Sequence, residues 1–223
     1  MDYDAVLFDN DGVLVTPPAH ETQAEAARAA FDEVGVADPA QRHVDDVVGG
    51  VTVERLRDIC ATYGVDPEAF WAAREYHDEQ SQFTEFRAGN RERYDDVSAL
   101  VDIQQRRGVV SNNHHSTVEF VLDFFEMRPL FEAVYGREKR VDSLRLKKPN
   151  PHYLERALAD LSAESALYVG DSESDVVAAH RAGMDSAFVR RPHCRDADLA
   201  VDPTYDVASL HDVVDVVARR TDA

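Results

Sequence analysis

The sequence predicts an α/β protein: a three-layer α/β/α, Rossmann-like parallel sheet with an inserted helical segment. Short, continuous apolar runs alternate with stretches of helical periodicity over most of the chain. Alternating strands and helices favour a parallel sheet that is covered on both faces. Polar clusters directly follow three of the apolar runs. Because ligand sites of such sheets lie at the carboxyl ends of the strands, these clusters mark the candidate site.

The predicted strands are short apolar runs bounded by polar or turn residues, a pattern typical of buried parallel strands. In chain order they cover residues 5–8, 108–111, 133–135, 166–169 and 186–189, the last being the final strand.

Helix-end signals lie between these runs. Ser116 and Glu119 are spaced as a capping box at the start of a helix. Asn150 is predicted as an N-cap, with Pro151 at the first helical position. Gly183 is placed to end the helix before the last strand.

Residues 18–87 show helical periodicity and no convincing strand. One predicted helix carries its apolar residues on a single face: Val53, Leu56, Ile59 and Cys60. Four glycines are placed as helix ends, namely Gly35, Gly49, Gly50 and Gly64. Three aromatic residues of a later helix are interpreted as packing residues: Phe70, Trp71 and Tyr76. The segment begins and ends beside polar clusters, a position that suits a lid.

Asp9 and Asp11 follow the first predicted strand. Alternation along an extended backbone puts both carboxylates on one side, with Asn10 on the other. Paired carboxylates repel unless a cation or a shared proton relieves them, and hard oxygen ligands suit Mg²⁺. One aspartate can then attack phosphorus while the other handles a proton. A turn rich in Asp, Asn and Gly is the competing interpretation.

Ser111 and Asn112 follow the second strand, where a hydroxyl and a backbone N–H can hold a phosphate. An ordinary strand-to-helix turn is the alternative. The neighbouring His114 and His115 are interpreted as an exposed pair at a helix start.

Lys147 and Lys148 stand out because the only other lysine is Lys139. A lysine at the site would neutralise a phosphate and a carboxylate nucleophile. Pro149 restrains the backbone after Lys148, which favours Lys148 over Lys147. A solvated surface pair is the alternative.

Asp171 and Asp175 lie in the cluster after the fourth strand. Asp171 would face a metal ion at the strand end, and Asp175, one helical turn later, would support the site from behind. Capping of the next helix by Asp171 or Ser172 is the alternative.

Taken together, these clusters closely resemble the four motifs of the haloacid dehalogenase (HAD) superfamily of phosphatases. The matching segments are residues 8–14 (FDNDGVL), 111–112 (SN), 148–151 (KPNP) and 170–175 (GDSESD). The inserted segment resembles the helical C1 cap of phosphoglycolate-phosphatase-like members. The resemblance covers nearly the whole chain. It implies an α/β core domain of residues 1–15 and 89–223, and a helical cap domain of residues 16–88.

The resemblance assigns the metal ligands and the reacting groups. Asp9 would be the nucleophile and a magnesium ligand. Asp11 would be the general acid and base, with its backbone carbonyl on the metal. Asp171 would complete the protein ligands of Mg²⁺, and Asp175 would support them.

The resemblance also assigns the groups that hold the phosphate. Ser111 and the Asn112 amide would bind the transferring phosphoryl group, and Lys148 would pair with that group and with Asp9. The implied activity is a Mg²⁺-dependent phosphatase. Its substrates would be small phosphorylated metabolites, such as phosphoglycolate or a sugar phosphate, hydrolysed through a phospho-aspartate.

Two alternatives stay open. A phosphomutase resembling β-phosphoglucomutase uses the same aspartates, and a non-catalytic interaction protein could use the same scaffold. A dehalogenase is disfavoured because the dehalogenases of the superfamily lack the second aspartate, here Asp11. Val13 replaces the threonine often found at its position, and the loop near residues 49–50 matches the family only loosely. Since that loop usually governs substrate choice, the sequence does not select one substrate.

The composition limits the partners. A formal net charge of -19 repels nucleic acid phosphates and anionic membranes, so neither partner is expected. An acidic, lysine-poor surface resembles proteins of salt-loving cells, where high ionic strength screens self-repulsion. Cys60 and Cys194 form no metal or disulfide pattern and are predicted to be free thiols. The acidic N-terminus lacks the basic start of a signal peptide, and a cytoplasmic protein is expected. The sequence does not predict the oligomeric state.

Overall fold

Six strands form one parallel sheet in a computed structural model that describes residues 3–221, without the side chains of residues 220 and 221. The order across the sheet is β3-β2-β1-β4-β5-β6. The strands are β1 Ala5–Phe8, β2 Arg106–His114, β3 Ala133–Arg137, β4 Ala166–Gly170, β5 Asp185–Val189 and β6 Tyr205–Val207. The predicted α/β class is confirmed. β1 is buried along its whole length because it lies between β2 and β4.

Eight α-helices accompany the sheet in the described part of the chain. They are α1 His20–Glu33, α2 Gln41–Val48, α3 Val53–Tyr63, α4 Pro67–Ala88, α5 His115–Phe124, α6 His152–Asp160, α7 Glu173–Arg181 and α8 Leu210–Thr221. Three 3₁₀ helices cover Asp95–Asp102, Arg128–Leu130 and Val141–Leu146.

The direction in which strands are added reverses between β1 and β4. After β1 the chain moves outward to β2 and β3, then returns to β4 and continues to β5 and β6 on the other side. Right-handed crossovers therefore put α5 on one face of the sheet and α6 and α7 on the other. The reversal creates a switch point at the carboxyl ends of β1 and β4, where α/β proteins bind ligands.

The chain divides into two compact units. The sheet unit comprises the described residues of Met1–Pro17, Glu92–Gly136 and Lys147–Ala223. The helical unit comprises Pro18–Arg91 together with a second segment, Arg137–Leu146. The assignment of core and cap domains stays a prediction. No pattern in the sequence indicates that Arg137–Leu146 belongs with the helices.

The helical unit has its own apolar core, in which Phe31, Leu56, Ile59 and Phe70 are fully buried. Val141 and Leu144 of the second segment pack into this same core. Their burial gives the physical reason why the later segment joins the unit, since each buried aliphatic side chain contributes about 1.5–3 kcal/mol.

A largely buried charge cluster lies in the helical unit. The Arg137 guanidinium donates to both carboxylate oxygens of Glu75, at 2.8 and 3.0 Å. Arg74 lies 3.4 Å from Glu75 and 3.5 Å from Asp78, and Lys139 pairs with Glu79 at 2.5 Å. We call these six residues the helical-unit cluster: Arg74, Glu75, Asp78, Glu79, Arg137 and Lys139. Both arginines also lie over the Trp71 ring.

Three sequence predictions near α5 and α6 are wrong. β2 runs to His114 and α5 begins at the next residue, so Ser116 lies inside the first turn and is not the N-cap residue. For the same reason His114 is fully buried instead of exposed. α6 begins at His152, one residue later than predicted, and Asn150 Oδ1 still accepts from the His152 N–H at 3.0 Å.

Two further predictions need correction. β5 is not the last strand, because β6 adds a three-residue edge that is too short to produce a sequence pattern. Tyr76 is 57% exposed and contacts the neighbouring His77 ring, so it is not part of the core, whereas Phe70 and Trp71 are buried as predicted. Both cysteines are free thiols, as predicted. No helix in residues 3–221 is long and apolar enough to cross a membrane.

Candidate active site

Adjacent strand ends bring the predicted aspartates together. Phe8 of β1 is in register with Val169 of β4, and the Asp9 N–H donates to the Val169 carbonyl at 2.9 Å. Asp9 and Asp171 therefore leave neighbouring strands at the switch point. The site is a direct result of the strand order.

Asp9 is buried, with 8% of its surface exposed. Its Oδ2 lies 2.8 Å from Lys148 Nζ, and its Oδ1 accepts from the Asn10 N–H at 2.7 Å. Burial raises the pKa of Asp9 to about 8; Lys148 opposes the shift, while the Asp175 and Asp171 carboxylates add to it. The Asp9 carboxylate thus needs more positive charge than Lys148 alone supplies.

Lys148 is held by three further oxygen atoms. Its Nζ lies 2.7 Å from Asp175 Oδ1, donates to the Tyr168 hydroxyl at 2.7 Å and to the Val110 carbonyl at 3.3 Å. Burial alone would lower the pKa of Lys148, but Asp175 and Asp9 outweigh it and raise the pKa well above its usual range. Lys148 therefore remains an ammonium group, aimed at Asp9.

Asp175 connects two parts of the site. Its Oδ2 accepts from the Asp171 N–H at 3.1 Å, from the Ser172 N–H at 3.0 Å and from the Ser172 hydroxyl at 2.7 Å. A Cβ on Gly170 would lie 2.2 Å from Asp175 Cβ, so glycine allows this close packing. Asp175 caps α7 and at the same time neutralises Lys148. The capping interpretation of Ser172 and the supporting position of Asp175 are compatible.

Two side-chain amides hold the Asp11 carboxylate. Asn113 Nδ2 donates to Asp11 Oδ2 at 2.7 Å, and Asn10 Nδ2 donates to Asp11 Oδ1 at 3.1 Å. Asp11 is thereby oriented from the ends of both β1 and β2. Asn113 was not singled out in the sequence, because nothing distinguishes it from any polar residue that follows a strand.

Ser111 and Asn112 lie in β2, next to Lys148. Ser111 is buried, and its Oγ accepts from the Asn113 N–H at 3.2 Å. Asn112 Oδ1 accepts from the Lys148 N–H at 2.8 Å, and its Nδ2 donates to the Lys148 carbonyl at 3.3 Å. The Asn112 side chain therefore fixes the backbone of Lys148.

The carboxylates form a set that fits a hard divalent cation. Oxygen atoms of Asp9, Asp171 and Asp175 all lie within 4.8 Å of one another. The carboxyl group of Asp171 has a raised pKa because of burial, with Asp175 adding to the shift and His193 opposing it. A Cβ on Gly12, which has φ +80°, would lie 1.9 Å from Asp171 Oδ2, so the chain passes directly against this carboxylate. Excess negative charge, oxygen donors and a close-fitting backbone suit Mg²⁺.

Tyr168 and His193 are two contacts that the sequence did not reveal. Tyr168 lies in the buried β4 run and donates its hydroxyl to the Val110 carbonyl at 2.8 Å. His193 Nε2 lies 2.6 Å from Asp171 Oδ2. A hydroxyl inside an apolar run was the one available signal for Tyr168, and no signal existed for His193.

The family model of haloacid dehalogenase-like hydrolases matches residues 6–189. The chain therefore belongs to the haloacid dehalogenase-like hydrolase family, which confirms the predicted family and the prediction of a hydrolytic enzyme.

The chain is also similar in sequence to individual phosphatases. Over 221 residues the chain is 28% identical to a phosphoglycolate phosphatase of Cereibacter sphaeroides, covering 96% of this chain and 97% of the relative. It is 34% identical over 98 residues to the pyrophosphatase PpaX of Bacillus cereus, covering 43% of this chain and 44% of the relative. Among solved structures, CbbY from Rhodobacter sphaeroides in complex with phosphate superposes with a TM-score of 0.70. That match has 19% identity and covers 95% of this chain and 96% of CbbY, so it shares the fold.

Proposed function

We propose that the protein is a Mg²⁺-dependent phosphatase that hydrolyses small phosphate monoesters through a phospho-aspartate on Asp9. The observation that carries the proposal is the buried contact of Lys148 with Asp9, surrounded by further carboxylates. Positioning and charge neutralisation are what phosphoryl transfer requires of a protein.

Asp9, Asp11 through its backbone carbonyl, and Asp171 are the proposed ligands of Mg²⁺. When bound, Mg²⁺ supplies positive charge that neutralises the phosphoryl oxygens and the Asp9 carboxylate. Asp175 is not proposed as a ligand, because Lys148 and α7 already occupy both of its oxygens.

In the first proposed step, an Asp9 oxygen attacks phosphorus and the bond from phosphorus to the leaving alcohol oxygen breaks. Asp11, protonated at this stage, gives its proton to that oxygen. Lys148 neutralises charge on Asp9 and on the phosphoryl group, and the Ser111 hydroxyl and Asn112 amide hold the phosphoryl oxygens.

In the second step, water attacks phosphorus and the bond to Asp9 breaks, which releases inorganic phosphate. The Asp11 carboxylate takes the proton from that water and is ready to act as an acid again. The amides of Asn113 and Asn10 keep Asp11 in one orientation for both proton transfers.

Phosphoglycolate is the first substrate to test, because a relative aligned over most of this chain bears the name phosphoglycolate phosphatase. Sugar phosphates and pyrophosphate complete the panel, the latter because of the shorter match to PpaX. The cap function of the helical segment, a cytoplasmic location and adaptation to high salt remain part of the proposal.

The test is release of inorganic phosphate in Mg²⁺ at low and high salt. It compares the wild type, Asp9→Asn and the matched control Asp123→Asn, which removes an exposed carboxylate of α5. We expect activity in the wild type and control, and a loss of at least about 10³-fold in Asp9→Asn. Mass spectrometry of acid-quenched wild type should show one added phosphoryl group, absent in Asp9→Asn.

Two results would contradict the proposal. Absence of phosphate release from every ester would exclude a general phosphatase and would favour the phosphomutase or the interaction protein. Equal release by the wild type and Asp9→Asn would show that Asp9 is not the nucleophile.

A further inference from the structure

The turn after β5 brings an imidazole and a thiol to the edge of the site. His193 and Cys194 lie in this turn, and His193 Nε2 is 2.6 Å from Asp171 Oδ2. The ligand atoms of Asp171, His193 and Cys194 all lie within 4.8 Å of one another. His193 is partly exposed and Cys194 is of intermediate burial, so an ion from solvent can reach them.

The turn is held in place from both ends. Arg190 donates to the Ala197 carbonyl at 2.6 Å and pairs with Asp206 at 2.7 Å. The buried Arg191 makes a two-pronged contact with Asp96, at 2.7 and 2.8 Å. These contacts flank His193 and Cys194 in sequence, so the two side chains are presented by a braced backbone, which is what a metal site needs.

The chemistry of this set differs from that of the carboxylate cluster. One nitrogen, one sulfur and one oxygen donor form a ligand set for Zn²⁺ or Co²⁺, whereas Mg²⁺ avoids sulfur. Donor atoms around a tetrahedral zinc ion are roughly 3.5 Å apart, so the ligands need to move by about 1 Å or less. The Cys194 thiol makes only long contacts to the carbonyls of Val189 and Arg191, at 3.4 and 3.6 Å. Moving the thiol away from these two carbonyls therefore costs little stability.

We propose that Asp171, His193 and Cys194 form a binding site for a zinc-class ion, Zn²⁺ or Co²⁺. On binding, the Cys194 thiol loses its proton to solvent and the thiolate bonds to the ion. The ion replaces the hydrogen bond between His193 and Asp171. A solvent molecule completes the fourth position.

The proposed site shares Asp171 with the proposed magnesium ligands. A zinc-class ion therefore competes with Mg²⁺ for this carboxylate and inhibits the enzyme. This consequence rests on the proposed phosphatase function, whereas the binding of the ion does not.

The binding test uses Co²⁺ as the probe on full-length, untagged protein stripped of metal. A cobalt–thiolate bond gives a charge-transfer absorption in the near ultraviolet, which cobalt on carboxylates lacks. We expect this band at one Co²⁺ per chain in the wild type, and its loss in Cys194→Ser. In His193→Gln the affinity should fall by at least about tenfold.

The matched control is Cys60→Ala, which removes the other thiol. Cys60 is fully buried in the helical unit, so the band should be unchanged in this variant. Circular dichroism establishes that each variant is folded. Absence of the band in the wild type, or its persistence in folded Cys194→Ser, would overturn the site.

A second measurement tests the competition. Zn²⁺ should inhibit phosphate release in the wild type, added Mg²⁺ should relieve it, and Cys194→Ser should need at least about tenfold more Zn²⁺. Cobalt binding without zinc inhibition would overturn the competition for Asp171 and leave the site standing. An enzyme without phosphatase activity would contradict the proposed function alone, because the cobalt band does not depend on turnover.

Discussion

Each unit holds a cluster of largely buried charged side chains, but acids and bases are equal in number in only one of the two clusters. The helical-unit cluster has three acids, Glu75, Asp78 and Glu79, and three bases, Arg74, Arg137 and Lys139. In the sheet unit, Asp9, Asp171 and Asp175 surround a single buried base, Lys148.

We infer that this difference separates a structural cluster from the proposed active site. In a balanced set each charge has a partner of opposite sign, and these pairs offset part of the cost of desolvation. Burial raises the pKa of Asp9, against the opposing effect of Lys148 and with Asp175 and Asp171 adding to it, and such an excess of negative charge favours a cation from outside the chain. Charge balance, more than burial, distinguishes the two regions.

The largest expected effect comes from Lys148→Met, which removes the one buried base of the sheet-unit site and preserves its length. We expect kcat/KM to fall by about 10³-fold, since the nucleophile and phosphoryl group lose their neutralising charge. The same variant should gain more thermal stability from Mg²⁺ than the wild type does, measured by calorimetry with and without the ion. Turnover within tenfold of the wild type would show that Lys148 lies outside the chemistry.

A smaller effect is expected from Arg137→Met in the helical-unit cluster, because it leaves Glu75 with Arg74 as its base. We expect the free energy of unfolding to fall by about 3 kcal/mol, equally with and without Mg²⁺. Denaturant titration measures the loss. The double variant Glu75→Met, Arg137→Met should recover much of it, because neither charge is then left buried alone. No recovery would mean that the pair contributes more than mutual neutralisation.

Asn113→Ala should have a more modest effect, confined to the chemical step. Loss of one of the two amides on Asp11 should reduce kcat by about tenfold, while KM changes little. Steady-state kinetics on the best substrate checks this split. Phe124→Ala, an exposed change in the same unit, is the control. A change in KM alone would place Asn113 in substrate binding instead.

The smallest effect is expected from Asp46→Asn. Asp46 and Arg55 form an ion pair at 2.5 Å, but both side chains are more than one third exposed. Solvent screening limits such a pair to about 0–1 kcal/mol of stability. Denaturant titration of Asp46→Asn and Arg137→Met under the same conditions would show whether burial of an ion pair determines how much stability is lost when the pair is broken. A loss of stability as large as that of Arg137→Met would show that burial does not determine this cost.

The sequence predicted the sheet and most helix ends because these depend on local patterns. The four-residue apolar run 5–8 is typical of a buried strand, and a glycine that follows a helical pattern, such as Gly64 with φ +67°, marks the end of that helix. β6 was missed because a three-residue edge strand is too short to form an apolar pattern. The start of α5 was missed because β2 runs directly into the helix, with no turn residues between them.

The candidate site was accessible to sequence reasoning where chemistry lies at strand ends. Asp9, Lys148, Asp171 and Asp175 converge because parallel strands end at one edge. The partners that come from long-range packing were not accessible. His193 reaches Asp171 from a turn after another strand, and Arg137 reaches Glu75 across 62 residues. Neither contact corresponds to a recognisable spacing of residues in the sequence.

That last separation has a consequence for biosynthesis. A nascent chain in which α4 has just been synthesised carries Glu75 and Glu79. Their partners, Arg137 and Lys139, follow 62 and 60 residues later in the sequence. Of the three bases of the cluster, α4 itself supplies only Arg74, so two bases are still missing when this helix leaves the ribosome, and β2 and β3 must be synthesised first. The helical unit cannot complete its charge cluster before the intervening strands of the sheet unit have been synthesised. Synthesis from the N-terminus therefore couples the completion of the two units.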